Sequence, residues 1–276
     1  RSIAPTVASL HGSWLGERDG LITARNVGEP AVFRNPNDLA ILFSAVHYAK
    51  YEKTSALNAH VSVSNSKATQ ADFIERYKMP PEWNCKTIYW GVDTDLFCPV
   101  EENGTSKRPR EQVRTNYGFN YDDPVLLAVG RLAARKGYST LLRAFRIVIK
   151  EIPNAKLLIV GRGGMKKYLY KYATKEGFKP SIRIESSLDF NELSNVYNSC
   201  DLTIFPSYYE GQGLIPLESM SSGVPVIATN SGPIPEMVDD EVGSLFELGD
   251  EADLAKKIID ELSQGNRLLV KGKKGR

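Results

Sequence analysis

Residues 201–228 read DLTIFPSYYEGQGLIPLESMSSGVPVIA. The run from Asp201 to Ser207 is β-rich and apolar and reads as a buried strand, with Tyr208, Tyr209 and Glu210 at its carboxyl end. Gly211, Gln212 and Gly213 let main-chain N–H groups come close to a ligand, because a residue without Cβ leaves the backbone bare. A helix is expected from Gly213 or Leu214 onward. Pro216 suits its first turn, where an amide hydrogen has no intrahelical partner to lose. Ser221-Ser222-Gly223 stops that helix before VPVIA, a second strand. Strand, helix and strand in this order make a right-handed βαβ unit, and so a parallel sheet.

The same alternation runs outward. Strand-like segments lie at Thr6–Leu10, His60–Val63, Thr87–Trp90, Val125–Val129, Lys156–Val160 and Ser181–Ile184, besides Leu202–Phe205 and Pro225–Ala228. Between them, STLLRAFRIVIKEI (139–152) and DFNELSNVYNSC (189–200) have helical period, and Asp189 with Glu192 has capping-box spacing. CPVEENGTSKRPR (98–110) is polar and aperiodic and reads as an interdomain linker. The fold class is therefore α/β, with one domain over residues 1–110, linker included, and a second over 111–276. About three strands precede the linker, fewer than the usual ~4–6 of a sheet. With a chain that starts at Arg1 almost directly on a strand, the N-terminal domain is expected to be incomplete, through a cropped chain or a partial reading frame.

Composition is that of a globular protein with 42% apolar and 25% charged residues, and at 276 residues it needs no disulfide staples. A net charge of +2 argues against nucleic acid as the main partner. Cys85, Cys98 and Cys200 are odd in number and far apart, which points to reduced thiols in a cytosolic setting and gives no zinc-ligand spacing. The triplet Asn103-Gly104-Thr105 fits a glycosylation acceptor, a pattern common by chance. No apolar run reaches membrane-spanning length and no signal peptide is visible.

Four places carry candidate chemistry. In VLLAVGRLAARKG (125–137) a strand ends at Gly130, and Arg131, Lys136 and a following helix N-terminus would suit phosphate; both cations could equally be solvated. LIVGRGG (158–164) is either a tight strand-to-helix turn or one wall of a nucleotide pocket, and lacks the full dinucleotide fingerprint. In the opening stretch Glu210 and Glu218, the latter about one turn inside the helix, could be a hydrolytic acid and base, a clamp on hydroxyls, or a helix surface. Hydrolysis needs a place for water between the carboxyl groups, whereas a clamp needs only acceptors, and the clamp fits better. His11, in SLHGSW, follows a strand and taken alone reads as structural.

VGRLAARKGYSTLLRAF, LIVGRGG and FPSYYEGQGLIPLESMSSGVPVIATNSGPIPEMV together resemble retaining glycosyltransferases of the two-Rossmann-domain type, the GT-B fold. The nearest group includes bacterial mannosyltransferases and relatives of sucrose and glycogen synthases. Its Glu-x7-Glu hallmark falls on Glu210 and Glu218. HVSVSNSKATQADFIERYKMPPEWNCKTIYWGVDTDLFCP (60–99) is similar to the second half of that family's N-terminal domain. The resemblance implies two Rossmann-like domains facing a cleft, the first without its early glycine-rich part and the second without its final crossover helix, which GNRLLVKGKKGR would begin.

It also implies transfer of a sugar from a nucleotide-diphosphate sugar to a glycan, lipid or small-molecule acceptor, as a metal-independent hexosyltransferase without a cofactor. Arg131 and Lys136 would hold the diphosphate. Glu210 and the amides of Gly211, Gln212, Gly213 and Leu214 would hold the sugar, and Glu218 the ribose. His11 would face the reaction centre. The partners implied are donor and acceptor, with no nucleic acid; the location is cytoplasmic, with membrane contact left to the missing N-terminal part. A sugar-nucleotide epimerase and a non-catalytic binding fragment are the alternatives. Gln212 stands where an aromatic is frequent, Tyr89-Trp90 where Pro-Asn is frequent, and Pro233 where a second glycine is frequent. Asn tolerates a left-handed backbone far better than Trp, so the loop at Trp90 is expected to differ.

Overall fold

The computed structural model describes residues 4–29, 35–100 and 110–276. Two parallel sheets organise them. The first is three-stranded, β1 (Val7–Leu10), β2 (Val61–Ser64) and β3 (Cys85–Thr87), with α1 (Trp14–Asn26), α2 (Pro36–Asn58) and α3 (Lys67–Arg76) between strands. The second has six strands: β4 (Val125–Val129), β5 (Lys156–Val160), β6 (Ile182–Glu185), β7 (Leu202–Phe205), β8 (Val226–Thr229) and β9 (Gly243–Phe246). With it go α4 (Arg110–Asn116), α5 (Tyr138–Glu151), α6 (Lys166–Lys175), α7 (Phe190–Ser199), α8 (Leu214–Ser221), α9 (Glu251–Ser263) and α10 (Gly265–Gly275).

The larger sheet runs β6-β5-β4-β7-β8-β9. Chain order therefore reverses between β4 and β7. At such a switch point the loops leaving the two central strands turn opposite ways and open a crevice at the strands' carboxyl ends. Helices cover both faces of the sheet. On one, Leu126 and Ala128 pack with Leu141, Phe145 and Val148 of α5, whose spacing is that of a single helical stripe. On the other, Val125 and Leu127 pack with Val113, Val196 and Tyr197 of α4 and α7. Each fully buried aliphatic side chain contributes about 1.5–3 kcal/mol. The cap of α7 forms as its spacing suggests: the Asp189 carboxylate accepts from Glu192 N at 2.8 Å.

α1 ties the two sheets together. Its Leu21 and Ala24 join the core of the larger sheet. On the same helix Gly16 and Gly20 form a slot for the Tyr209 ring: a Cβ at either would lie 2.2 and 2.6 Å from that side chain. Tyr209 is further held by Ser13 N, which donates to its hydroxyl at 2.7 Å.

The sequence reading needs correction at three points. The third strand is Cys85–Thr87 rather than Thr87–Trp90, because Tyr89 and Trp90 leave the sheet to bond the other half of the chain. β9 was not anticipated. It starts Gly243-Ser244, a weak β signal, and a Cβ at Gly243 would sit 2.1 Å from the Val226 carbonyl of its neighbour. The N-terminus of α5, taken as a phosphate seat, is occupied from within: buried Glu29 accepts from Ser139 Oγ at 2.7 Å and from Ser139 N at 3.3 Å. Its carboxylate already neutralises that end of the helix. Residues 101–109, most of the linker and all of the Asn103-Gly104-Thr105 triplet, lie outside the described residues; before them, Val100 N donates to Asn198. The basic tail is helical, as α10.

Candidate functional site

The loops after β4 and β7 meet at the switch point. Gly130 follows β4, and Arg131 comes next, exposed. Lys136 closes a short turn at Gly137, which must be glycine on two counts: its φ is +69°, and a Cβ would lie 1.9 Å from the Pro206 carbonyl. This close approach seats the first loop on the second, and Tyr208 N donates to Arg135 O at 2.8 Å to fasten them. Lys136 thereby reaches Glu210 and forms an ion pair with it. Ser207 Oγ donates to the same carboxylate at 2.5 Å.

These contacts decide the charge of Glu210. Burial would raise its carboxyl, but Lys136 and Arg135 beside it, with the hydrogen bonds from Lys136 and Ser207, outweigh burial and hold it below the ordinary carboxylate value. Lys136 is pushed the other way: burial lowers it, Glu210 opposes that, and Arg135 and Arg131 add to the lowering. The ion pair with Lys136 favours the ionised form of Glu210, which suits an acceptor better than a hydrolytic acid. Glu218 differs. Burial raises its carboxyl, partly offset by Tyr197, whose hydroxyl donates to it at 2.8 Å.

Four of the expected residues share one face. His11, Glu210 and Gly211 line a cleft of about 750 Å3 together with Arg135, Trp14 and Tyr51, and Lys136 reaches that cleft through Glu210. At Gly211 the two halves approach closely: a Cβ there would lie 2.0 Å from the His11 carbonyl. Its own carbonyl accepts from Ser66 Oγ at 2.5 Å and Thr69 Oγ1 at 2.9 Å. The N–H groups of Gly211, Gln212, Gly213 and Leu214 enter no turn or cap bond among the described residues. They lead into the N-terminus of α8, so donors and helix dipole coincide there. Glu218 lines neither this cleft nor the adjoining one bounded by Tyr208, Tyr209 and Ser231.

Gly161 and Gly163 of LIVGRGG serve packing, while Gly164 faces open space. A Cβ at Gly161 would lie 1.8 Å from the Gly130 carbonyl and one at Gly163 2.3 Å from that of Leu132, which is the close approach a tight turn requires. The side chain of Gln212 is turned to the main chain of Trp90. Two of the positions that depart from the family pattern therefore touch each other. Trp90 does not adopt the left-handed backbone, and among the described non-glycine residues only Lys78 has positive φ.

Sequence reading missed Arg135, Tyr197, Tyr209 and Glu236. Arg135 adjoins Lys136 and pairs with Glu17 at 3.2 Å. Glu236 accepts from Lys67 N at 3.0 Å, Ala68 N at 2.8 Å and the Tyr89 hydroxyl at 2.7 Å, so it caps α3 from the other half of the chain. Only the Asn-Ser-Lys start of α3 hinted at a helix end there, and nothing local pointed to a partner about 170 residues away. Among the described residues no group of three or more His, Cys, Asp or Glu is arranged to hold a metal ion, and no helix is long and apolar enough to cross a membrane.

The family described as glycosyl transferases group 1 matches residues 109–276. An uncharacterised glycosyltransferase of Methanocaldococcus jannaschii is 28% identical over 242 residues, covering 88% of this chain and 56% of that protein. A D-inositol 3-phosphate glycosyltransferase of Corynebacterium aurimucosum is 31% identical over 214 residues, covering 74% of this chain and 49% of its own length. The chain thus spans about half the length of these curated relatives. Among solved structures, HepE of Anabaena in complex with UDP-glucose superposes with a TM-score of 0.77 at 22% identity, over 98% of this chain and 66% of that one. With the reversed six-stranded parallel sheet and the loops that converge on Glu210, these likenesses make the chain a member of the glycosyl transferases group 1 family with the GT-B fold.

Proposed function

We propose that this chain carries the donor site of a retaining hexosyltransferase, which moves a sugar from a nucleoside diphosphate to an acceptor hydroxyl without a metal ion. One observation carries the reading: at the switch point Glu210, paired with Lys136, lines one cleft with Arg135, Gly211 and His11, and the N–H groups from Gly211 to Leu214 enter no turn or cap bond among the described residues. In this reading Arg131 and Lys136 meet the diphosphate, and their charge stabilises it as it leaves. The N–H row from Gly211 to Leu214 and Glu210 hold the sugar. Glu218 accepts from the ribose. The bond from the anomeric carbon to the diphosphate oxygen breaks, a bond to the acceptor oxygen forms, and the acceptor's proton passes to the released diphosphate. Positive charge developing on the sugar is favoured by the fixed negative charge of Glu210. The UDP-glucose bound by HepE and the glycosyltransferase names of the relatives support a nucleotide-sugar donor.

The test is calorimetry with UDP- and GDP-sugars, with and without a chelator, followed by magnetic resonance of the product. Binding that survives the chelator and a product with the donor's anomeric configuration are expected. Binding abolished by the chelator would overturn the metal-free step, and an inverted product the retaining one. Isomerised donor in the absence of acceptor would mark an epimerase.

A further inference from the structure

Gln212 is only 2% exposed, and its carboxamide bonds both main-chain groups of one residue of the other half of the chain, with a further contact from Nε2 to the Met237 sulfur at 3.9 Å. Gln212 Oε1 accepts from Trp90 N at 2.8 Å, and Nε2 donates to Trp90 O at 2.9 Å. A primary amide carries one acceptor and one donor pair in a plane, so it can satisfy both main-chain groups of a single residue as a neighbouring strand would. The residue before is also pinned, through the Tyr89 hydroxyl to Glu236 at 2.7 Å. Trp90 lies beyond the end of β3 and is held instead by the larger sheet's loops. Its indole lies on the imidazole of His11, with ring centroids 4.7 Å apart and planes inclined at 39°.

We infer that Gln212 and Trp90 are positioning residues for His11. The amide fixes the main chain of Trp90, and the indole then covers one face of the imidazole and sets the ring plane that His11 presents to the cleft. The segment after β7 that also offers the N–H row thereby governs the histidine opposite. This inference rests on the transferase reading for its effect on turnover, but its geometric half stands apart from it.

The chain has three histidines, His11, His47 and His60, so selective labelling gives a spectrum in which His11→Asn assigns one signal. An overlying indole shields the imidazole protons. In Trp90→Leu the His11 signals are expected to move downfield, with Trp90→Phe retaining part of the shielding. In Gln212→Met, which keeps the length and loses both bonds, the His11 signals are expected to shift while those of His47 and His60 stay. In steady-state assays Gln212→Met and Trp90→Leu are expected to lower kcat by about tenfold, and Trp90→Leu, which lies outside the N–H row, to do so with donor affinity unchanged, the signature of a lost transition-state geometry. If Gln212→Met fails to fold, the two Trp90 variants at its half-exposed partner carry the test. Unmoved His11 signals in the folded variants would overturn the inference, as would moved signals with unaltered kcat. Full turnover in His11→Asn would instead sink the role of His11 in the proposed reaction, leaving the geometry of the three residues intact.

Discussion

Gly211 faces the His11 carbonyl so closely that one methyl group has no room. Gly211→Ala is expected to push the loop away from β1 and to depress turnover more than nucleotide affinity, measured by kinetics beside calorimetry. Unchanged kcat would show that the close approach is incidental. Lys136 and Glu210 form a largely buried pair, so removing one charge strands the other. Lys136→Met is expected to destabilise the fold by on the order of 3 kcal/mol, and Lys136→Met with Glu210→Gln to recover much of it, in denaturant unfolding. Equal loss in the single and double variants would mean the two do not act as a pair. A carboxyl whose folded value is depressed contributes stability above its unfolded value. The Glu210 contribution is therefore expected to fade as pH falls below the ordinary carboxylate range, and to be missing from the acid limb of Glu210→Gln.

α7 and α8 meet through the hydroxyl of Tyr197 and the carboxylate of Glu218. In the proposed role Glu218 accepts hydrogen bonds from the ribose as an anion, so its protonation weakens nucleotide binding. Burial raises its carboxyl, which puts the acid limb of binding above the ordinary carboxylate value. Tyr197→Phe removes the bond that opposes the rise and is expected to move that limb to higher pH, with Glu218→Gln abolishing it. Calorimetry across the acid range checks both, and a limb unchanged in Glu218→Gln refutes the assignment. Elements with local signals were legible in the sequence: β4, β5 and β7 fall where apolar β-rich runs end in glycine or proline, and α5 and α7 follow their apolar stripes. β9 and the end of β3 were not, because the first hides in Gly243-Ser244 and the second is set by Gln212 and Glu236 far along the chain. The site divided likewise. Lys136, Gly211 and Glu210 could be found from their loops, whereas Tyr197 and Glu236 act through partners that only the fold brings near.

At the scale of the whole molecule, α1 places Leu21 and Ala24 in the core of the larger sheet while it runs out of β1 of the smaller one. A shared core makes separate unfolding of the two sheets unfavourable. Of the three tryptophans, Trp83 packs against the core of the smaller sheet, Trp14 opens α1 and Trp90 is bonded to Gln212 across the seam, so their fluorescence reports the smaller sheet and the seam while far-ultraviolet dichroism reports chiefly the rest. Coincident denaturant transitions by the two probes are expected, and transitions with clearly separate midpoints would show that α1 does not couple the halves. Glu236→Ala, which uncaps α3 across the seam, is expected to lower stability by about 1 kcal/mol, since the carboxylate is exposed. The slot that Gly16 and Gly20 cut in α1 has a kinetic consequence. A flat phenol ring seated between two bare turns of a helix has few positions between in and out, because a half-withdrawn ring keeps neither its close contacts nor the Ser13 bond. Parting of the two sheets is then an activated jump between two discrete states, with a rate and an exchange lifetime, and not a graded swing about a hinge.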